Sequence, residues 1–426
     1  MKSHTVTRGL LFADNVLFSL ANFILAISLA RNYAESEFAA LGVALALALT
    51  VQSAQKTLYV VRVSLMPPDA ARRSSGAIIA EHLIVVATAV LCVCLVTALG
   101  AVVGASEQFK LIGLSTIVCY LIYFQADFDR AILLKLGSAL RPALLSLSYL
   151  AAVSVLGSLA RWWGLSFAGF MLGLIAFTLA KGGVVIALIG ERPRWRSGRR
   201  LLAVDWKRYG MPAVMGAANN AGFLHVPVML LETLRGPVEV GVLVAMRTLM
   251  QPLMVVIRSL DAGDKNRFHD LSSGTVVGVR HVFWRTIALY AVIGLAALLV
   301  LSLCAGPLIH IVYKGKFGGH PEILLEWCVY AILLTLAMPI QSVVYLIHRQ
   351  HQLMWWGTIG SITGLCMALF TCRPLGAQGA MLSTLCGAGL GVVGGVWTIR
   401  DVVISPVQDT TEVQSVTALR KRRKTL

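Results

Sequence analysis

Apolar stretches follow one another along the whole chain, each about as long as a bilayer-crossing helix and each ended by a short polar break. A hydrocarbon core of about 30 Å needs roughly 20 helical residues to cross it. The pattern predicts spans at 9–31, 38–60, 77–104, 109–128, 142–160, 164–190, 211–231, 238–260, 282–312, 322–347, 353–372 and 376–399. These runs do not alternate apolar with polar residues, so they read as helices and not as the strands of a barrel. The first begins with Leu10, Leu11 and Phe12 but carries Asp14, Asn15 and Asn22 and lacks a small-residue cleavage site, which predicts a retained helix.

Composition agrees with a membrane solvent. Of 426 residues 57% are hydrophobic and only 13% charged, and the mean hydropathy is +0.77. A water-soluble core cannot hide that much apolar surface. The eight cysteines all fall in predicted helices without zinc-ligand spacing or a disulfide framework, so they read as packing residues and no cofactor is expected.

Charge fixes an orientation. With a cytoplasmic N-terminus, the inner segments hold 26 of the 37 basic residues and the outer ones seven, a strong positive-inside bias that places both termini in the cytoplasm. The net charge of +17 then records topology and contact with anionic membrane lipids, and nucleic acid is not an expected partner.

The basic break at 191–210 divides the helices six and six. The expected architecture is an N-terminal lobe at 1–190, a basic cytoplasmic linker at 191–210, a C-terminal lobe at 211–400 and a basic tail at 401–426. A weak repeat supports it: residues 28–43 and 230–244 each run from a helix end through a charged turn into a small-residue helix start. An even number of spans separates the copies, so the halves would be related by a pseudo-two-fold axis along the membrane normal.

Ionisable groups inside spans are expensive and mark the places where chemistry can lie. Arg247 sits about 12 Å into the eighth span at 1.5 Å per residue. Gln251, Met254 and Arg258 follow it at helical spacing, past a kink expected at Pro252. The stripe suits either a cavity wall or a buried structural ion pair. Lys56, one turn after Gln52, is either a substrate ligand or a snorkelling lysine; Lys181 lies beside Gly182 and Gly183, where helices or substrate can approach closely. Arg285 reads as interfacial. Asn15, Ser19 and Asn22 in the first helix, and Asn219 and Asn220 in the seventh, are either facing polar patches of a cleft or interhelical hydrogen-bonding groups. Asp14, Glu81, Asp127 and Asp129 near inner helix ends are candidates for ion or proton coupling, or charge partners for Lys56 and Arg130. Among motifs, no phosphate-binding loop, nucleophile elbow or metalloprotease signature occurs, so a transporter is expected in place of an enzyme.

The first helix from Asp14 through Asn22 to Arg31, then Glu35-Ser-Glu-Phe38, and Pro374-Leu-Gly-Ala-Gln-Gly-Ala380 before the last helix, resemble the Wzx-like polysaccharide transporters of the MOP superfamily, which also holds MurJ and the MATE exporters. The resemblance implies an all-α membrane protein with two six-helix lobes around a cationic cavity. It further implies a flippase that moves an isoprenoid-diphosphate-linked oligosaccharide across the bacterial cytoplasmic (inner) membrane by alternating access. Arg247, Lys56 and Lys181 would then hold the diphosphate. H+ or Na+ would be the coupling ion, with polysaccharide synthesis enzymes as possible neighbours. Two alternatives remain: a MATE-like exporter of small organic cations, whose cavity should be acidic, and a membrane subunit of glycan assembly, for which His310 and His320 are the one weak catalytic pair.

Overall fold

The computed structural model describes residues 2–257, 260, 276–347 and 349–403; the side chains of 2–8, 65, 220 and 276–278 are outside that description. Among the described residues eleven helices are long and apolar enough to cross a membrane, or twelve when one bent pair counts as a single span. They are α1 (Gly9–Asn32), α2 (Glu35–Ser64), α3 (Pro68–Val102), α4 (Glu107–Lys135), α5 (Leu140–Trp163), α6 (Phe167–Ile189), α7 (Trp195–Arg235), the bent α8 (Pro237–Leu249 and Gln251–Ile257), α9 (Val279–Tyr313), α10 (Pro321–Leu346), α11 (Gln350–Leu375) and α12 (Ala377–Val403). Each corresponds to a span expected from hydropathy. Arg258 and the tail beyond residue 403 lie outside the described residues.

The largest departure from the sequence reading is at 191–210. Most of this stretch is helix: α7 begins at Trp195 and runs on into the membrane segment. It docks on α3, where the Arg194 amide donates to the Gly76 carbonyl at 2.8 Å. Its exposed Trp195 and Trp206, interleaved with arginines, suit a helix at the headgroup level.

The outward surface is apolar along whole helix faces. Leu91, Leu95 and Leu99 on α3, and Leu295, Leu299 and Leu303 on α9, are each more than half exposed. The four-residue spacing puts each set on one helix face, a surface that only lipid can solvate. Inside, α1 packs on α5 and α2 on α4, while α10 packs on α9 and α12, and α11 on α12. Helix α2 also packs against α7 and α8, which ties the first six helices to the last six.

The turn between α11 and α12 explains the Gly-x-x-Gly spacing seen in the sequence. Gly376 has φ of 59°, and the Ala377 amide after it donates to Glu239 Oε2 at 2.9 Å, so α8 caps the start of α12. A Cβ on Gly379 would lie 2.1 Å from the Thr371 carbonyl oxygen, a backbone atom that cannot rotate away. Gly379→Ala is expected to cost about 1–3 kcal/mol by overpacking, seen as a lower unfolding temperature of the detergent-purified protein.

Candidate functional site

Three buried polar clusters are set among the helices of the first half, and the third of them reaches Asp205 on α7. In the first, Asp14 on α1 accepts from Arg130 Nε on α4 and from the Ser146 hydroxyl on α5, both at 2.5 Å. The Arg130 guanidinium also lies 4.9 Å from the centre of the Phe18 ring. One turn farther along α1, the Tyr149 hydroxyl donates to Asn22 Oδ1 at 3.1 Å. Asn15, by contrast, is exposed.

The second cluster joins α2, α3, α4 and α6. Lys181 Nζ lies 3.0 Å from Asp129 Oδ2, with both side chains less than a tenth exposed. Gln125 Nε2 donates to Asp129 at 2.6 Å, and Gln125 Oε1 is 3.1 Å from His82 Nε2. The other ring nitrogen, Nδ1, is 2.7 Å from the Tyr59 hydroxyl, which accepts from Gln55 Nε2 at 2.5 Å. His82 stacks flat on Phe128, with ring centres 3.9 Å apart. Nearby, Asp127 pairs with Lys56 at 3.2 Å and accepts from Gln52 at 2.5 Å. Lys56 opens a π-helical turn, Lys56–Val60, and is half exposed.

The third cluster is a single guanidinium between two carboxylates. Arg62 on α2 donates through Nη2 to Glu81 on α3, and its Nε lies 2.5 Å from Asp205 Oδ2 on α7 as an ion pair. Glu81 and Asp205 are both buried. The planar guanidinium thereby serves one carboxylate by a charge-assisted hydrogen bond and the other by proximity of charge.

The second half is more sparsely polar. Asn219 on α7 donates to the Met354 carbonyl at 3.3 Å and accepts from the Thr358 hydroxyl at 3.1 Å, which ties α7 to α11; the Asn220 side chain lies outside the described residues. Arg247 on α8 is half-buried, 5.7 Å from the centre of the Trp327 ring on α10. One turn on, the helix bends by 42° between Leu249 and Gln251. Pro252 accounts for the bend, because it has no amide to give to the preceding turn. The Gln251 Oε1 atom is buried and accepts no hydrogen bond among the described residues. His310 is exposed and His320 sits 3.4 Å from Glu322.

The structure thus groups Asp14 with Asn22 on one interface, and Lys56, Lys181 and Asp127 around α4. Glu81 joins Arg62, while Arg247 and Gln251 stand apart at the α8 break. Sequence reading missed His82, Tyr59, Gln125 and Asp205. Asp205 lay in a segment read as linker, and uncharged polar residues inside spans are too common to single out.

No family model and no curated protein sequence matches the chain. Solved structures do. The lipid II flippase MurJ in an inward closed conformation superposes with a TM-score of 0.68 at 13% identity, over 92% of this chain and 87% of that one. An inward-facing multidrug resistance MATE family transporter gives 0.64 at 15%, over 96% of both chains. A MOP superfamily transporter from Pyrococcus furiosus, described as having a binding pocket of reverse polarity that suggests a different function, gives 0.62 at 15%, over 93% of this chain and 96% of that one. The chain therefore has the all-helical membrane fold of the MOP superfamily transporters, shared with MurJ and the MATE proteins.

Proposed function

We propose that this protein is a flippase that carries an isoprenoid-diphosphate-linked oligosaccharide from the inner to the outer face of a bacterial cytoplasmic membrane. In this reading it works by rocking two six-helix lobes about a pseudo-two-fold axis along the membrane normal, with both termini in the cytoplasm. The observation that carries the reading is the broken α8. Arg247 and Gln251 lie one turn apart across a bend inside a membrane span, and the Gln251 side-chain oxygen Oε1 lacks a hydrogen-bond partner among the described residues. A break in a spanning helix is where transporters place their ligand-binding groups. A guanidinium holds a diphosphate with paired charge-assisted hydrogen bonds, and an amide oxygen accepts from a sugar hydroxyl.

Lys56 is the second proposed anion ligand, because it is half exposed even while paired with Asp127. Lys181 is enclosed with Asp129, so its contribution to substrate depends on that pair opening. Asp14, Glu81 and Asp127 remain proposed sites for coupling by H+ or Na+.

The sidedness of lipid-linked oligosaccharide in membrane vesicles tests the reading. Arg247→Ala is expected to lower the outer-leaflet fraction at least about tenfold, the loss of one charge-assisted contact to the substrate. Sugar reaching the outer leaflet equally in vesicles that lack the protein would overturn it. A second reading, export of small organic cations, is favoured by Glu232 on α7 and Glu326 on α10. Both are half-buried with one carboxylate oxygen unpartnered among the described residues. That reading expects Glu326→Gln, and not Arg247→Ala, to abolish transport.

A further inference from the structure

We infer that the end of the bundle opposite the termini is closed by a gate of exchanged helix caps, in which a cation from each half holds the last carbonyls of a helix in the other. Arg31, at the end of α1, donates through Nε to the Val312 carbonyl at 2.5 Å and through Nη2 to the Ile311 carbonyl at 2.7 Å, both at the end of α9. In return, Lys316, just after α9, donates through Nζ to the Ala30 carbonyl at 3.1 Å and the Tyr33 carbonyl at 2.9 Å, at the end of α1. The final carbonyls of a helix have no partner within it and carry its negative end, so a cation satisfies both needs. Usually that cation comes from the same helix; here the two halves trade.

The turn that presents Lys316 is strained. Lys314 and Phe317 have φ of 53° and 63°, with Gly315 between them at 85°. A left-handed backbone is a marked outlier for a bulky side chain and persists only where surrounding contacts hold it. Those contacts are visible. The Phe317 ring lies 5.8 Å from that of Phe38 at the start of α2 and 5.5 Å from that of Tyr313, and the Tyr313 hydroxyl donates to the Ala245 carbonyl on α8 at 2.7 Å. The contact to Phe38 is made across the halves, so parting them removes one restraint on the strained turn.

The chemistry of the bonds suits opening. Among the described residues neither Arg31 nor Lys316 has a carboxylate within ion-pair distance. Water can replace a carbonyl acceptor on a lysine or arginine at a half-buried helix end, whereas the enclosed Arg62 cluster would leave two buried carboxylates bare. The first arrangement is reversible and the second is a fixed joint.

The gate rests on the alternating-access reading above, but its test is a distance measured without substrate. A failed flippase assay leaves it standing, and an unchanged distance overturns the gate alone. Spin labels at Ala34 and Gly319, in full-length protein with the eight native cysteines replaced, read the separation of the two turns. Both positions are exposed, and a side chain at Gly319 meets no heavy atom within 4 Å. Parent protein should give a dominant short distance. Arg31→Gln with Lys316→Gln should raise the ratio of long-distance to short-distance populations at least about tenfold. Should the double variant not remain monodisperse, each single variant is expected to raise that ratio about threefold. Parent-like distances in the monodisperse double variant, or in both single variants, would overturn the gate.

Discussion

Arg62→Met is expected to destabilise the protein by about 3–5 kcal/mol, because it strips the shared cation from two carboxylates that stay buried. Glu81 is fully enclosed and Asp205 nearly so. Neither has another cation within ion-pair distance among the described residues. Methionine fills much of the arginine volume, so the loss isolates charge from packing. Arg62→Lys should recover only part of the stability, since a compact ammonium cannot spread its charge between both carboxylates as the planar guanidinium does. Replacing all three together, with Glu81→Gln and Asp205→Asn, should bring the unfolding temperature back most of the way. Thermal unfolding of purified protein in detergent reads all of these. Parent-like unfolding of Arg62→Met would mean that α7 is held on α3 by its other contacts, such as the Arg194 amide to Gly76.

The second large effect is at Lys181 and Asp129, where a double-mutant cycle decides between structure and transport. Each of Lys181→Met and Asp129→Leu leaves an unpaired charge in a region less than a tenth exposed, at a cost of about 3–5 kcal/mol. The pair of replacements should restore much of that stability, with a coupling energy of about 2 kcal/mol or more in the cycle. Transport separates the roles. A structural pair regains activity in the double variant, whereas a lysine that must grip an anionic substrate stays lost. Gln125, which donates to Asp129, and His82 beyond it should report the same change, as a shift of the His82 ring resonances on loss of Asp129.

Much of this arrangement was legible without coordinates. Twelve spans follow from hydropathy because lipid demands internal satisfaction of every backbone group over a fixed thickness, which leaves a helix of about 20 residues as the solution. The bend in α8 was legible at Pro252, since a missing amide acts locally. The entry to α12 at Gly376 and Gly379 was visible only as a resemblance to a family pattern; the structure supplies its reason, a left-handed backbone at Gly376 and a close backbone approach at Gly379. That acids among Asp14, Glu81, Asp127 and Asp129 would serve as partners for Lys56 or Arg130 could be anticipated from charges near the same helix ends; the structure assigns Asp127 to Lys56 and Asp14 to Arg130.

Partner choice among distant residues could not. A lysine inside α6 has the same sequence signature whether it faces a cavity or Asp129, and the difference lies in which side of α4 turns toward it. The stretch 191–210 is basic whether it hangs as a linker or docks as a helix; Asp205 meeting Arg62 decides it, and that meeting requires α2, α3 and α7 to be assembled first. The exchanged caps at the far end have no signature at all, because the acceptors of Arg31 and Lys316 are backbone carbonyls that every residue owns. Sequence determined what must be in the membrane and where its helices break, for these are short-range or solvent-driven demands. Tertiary structure alone decided which charges are neutralised and which stay available, because burial and distance between remote side chains are properties of the packed bundle.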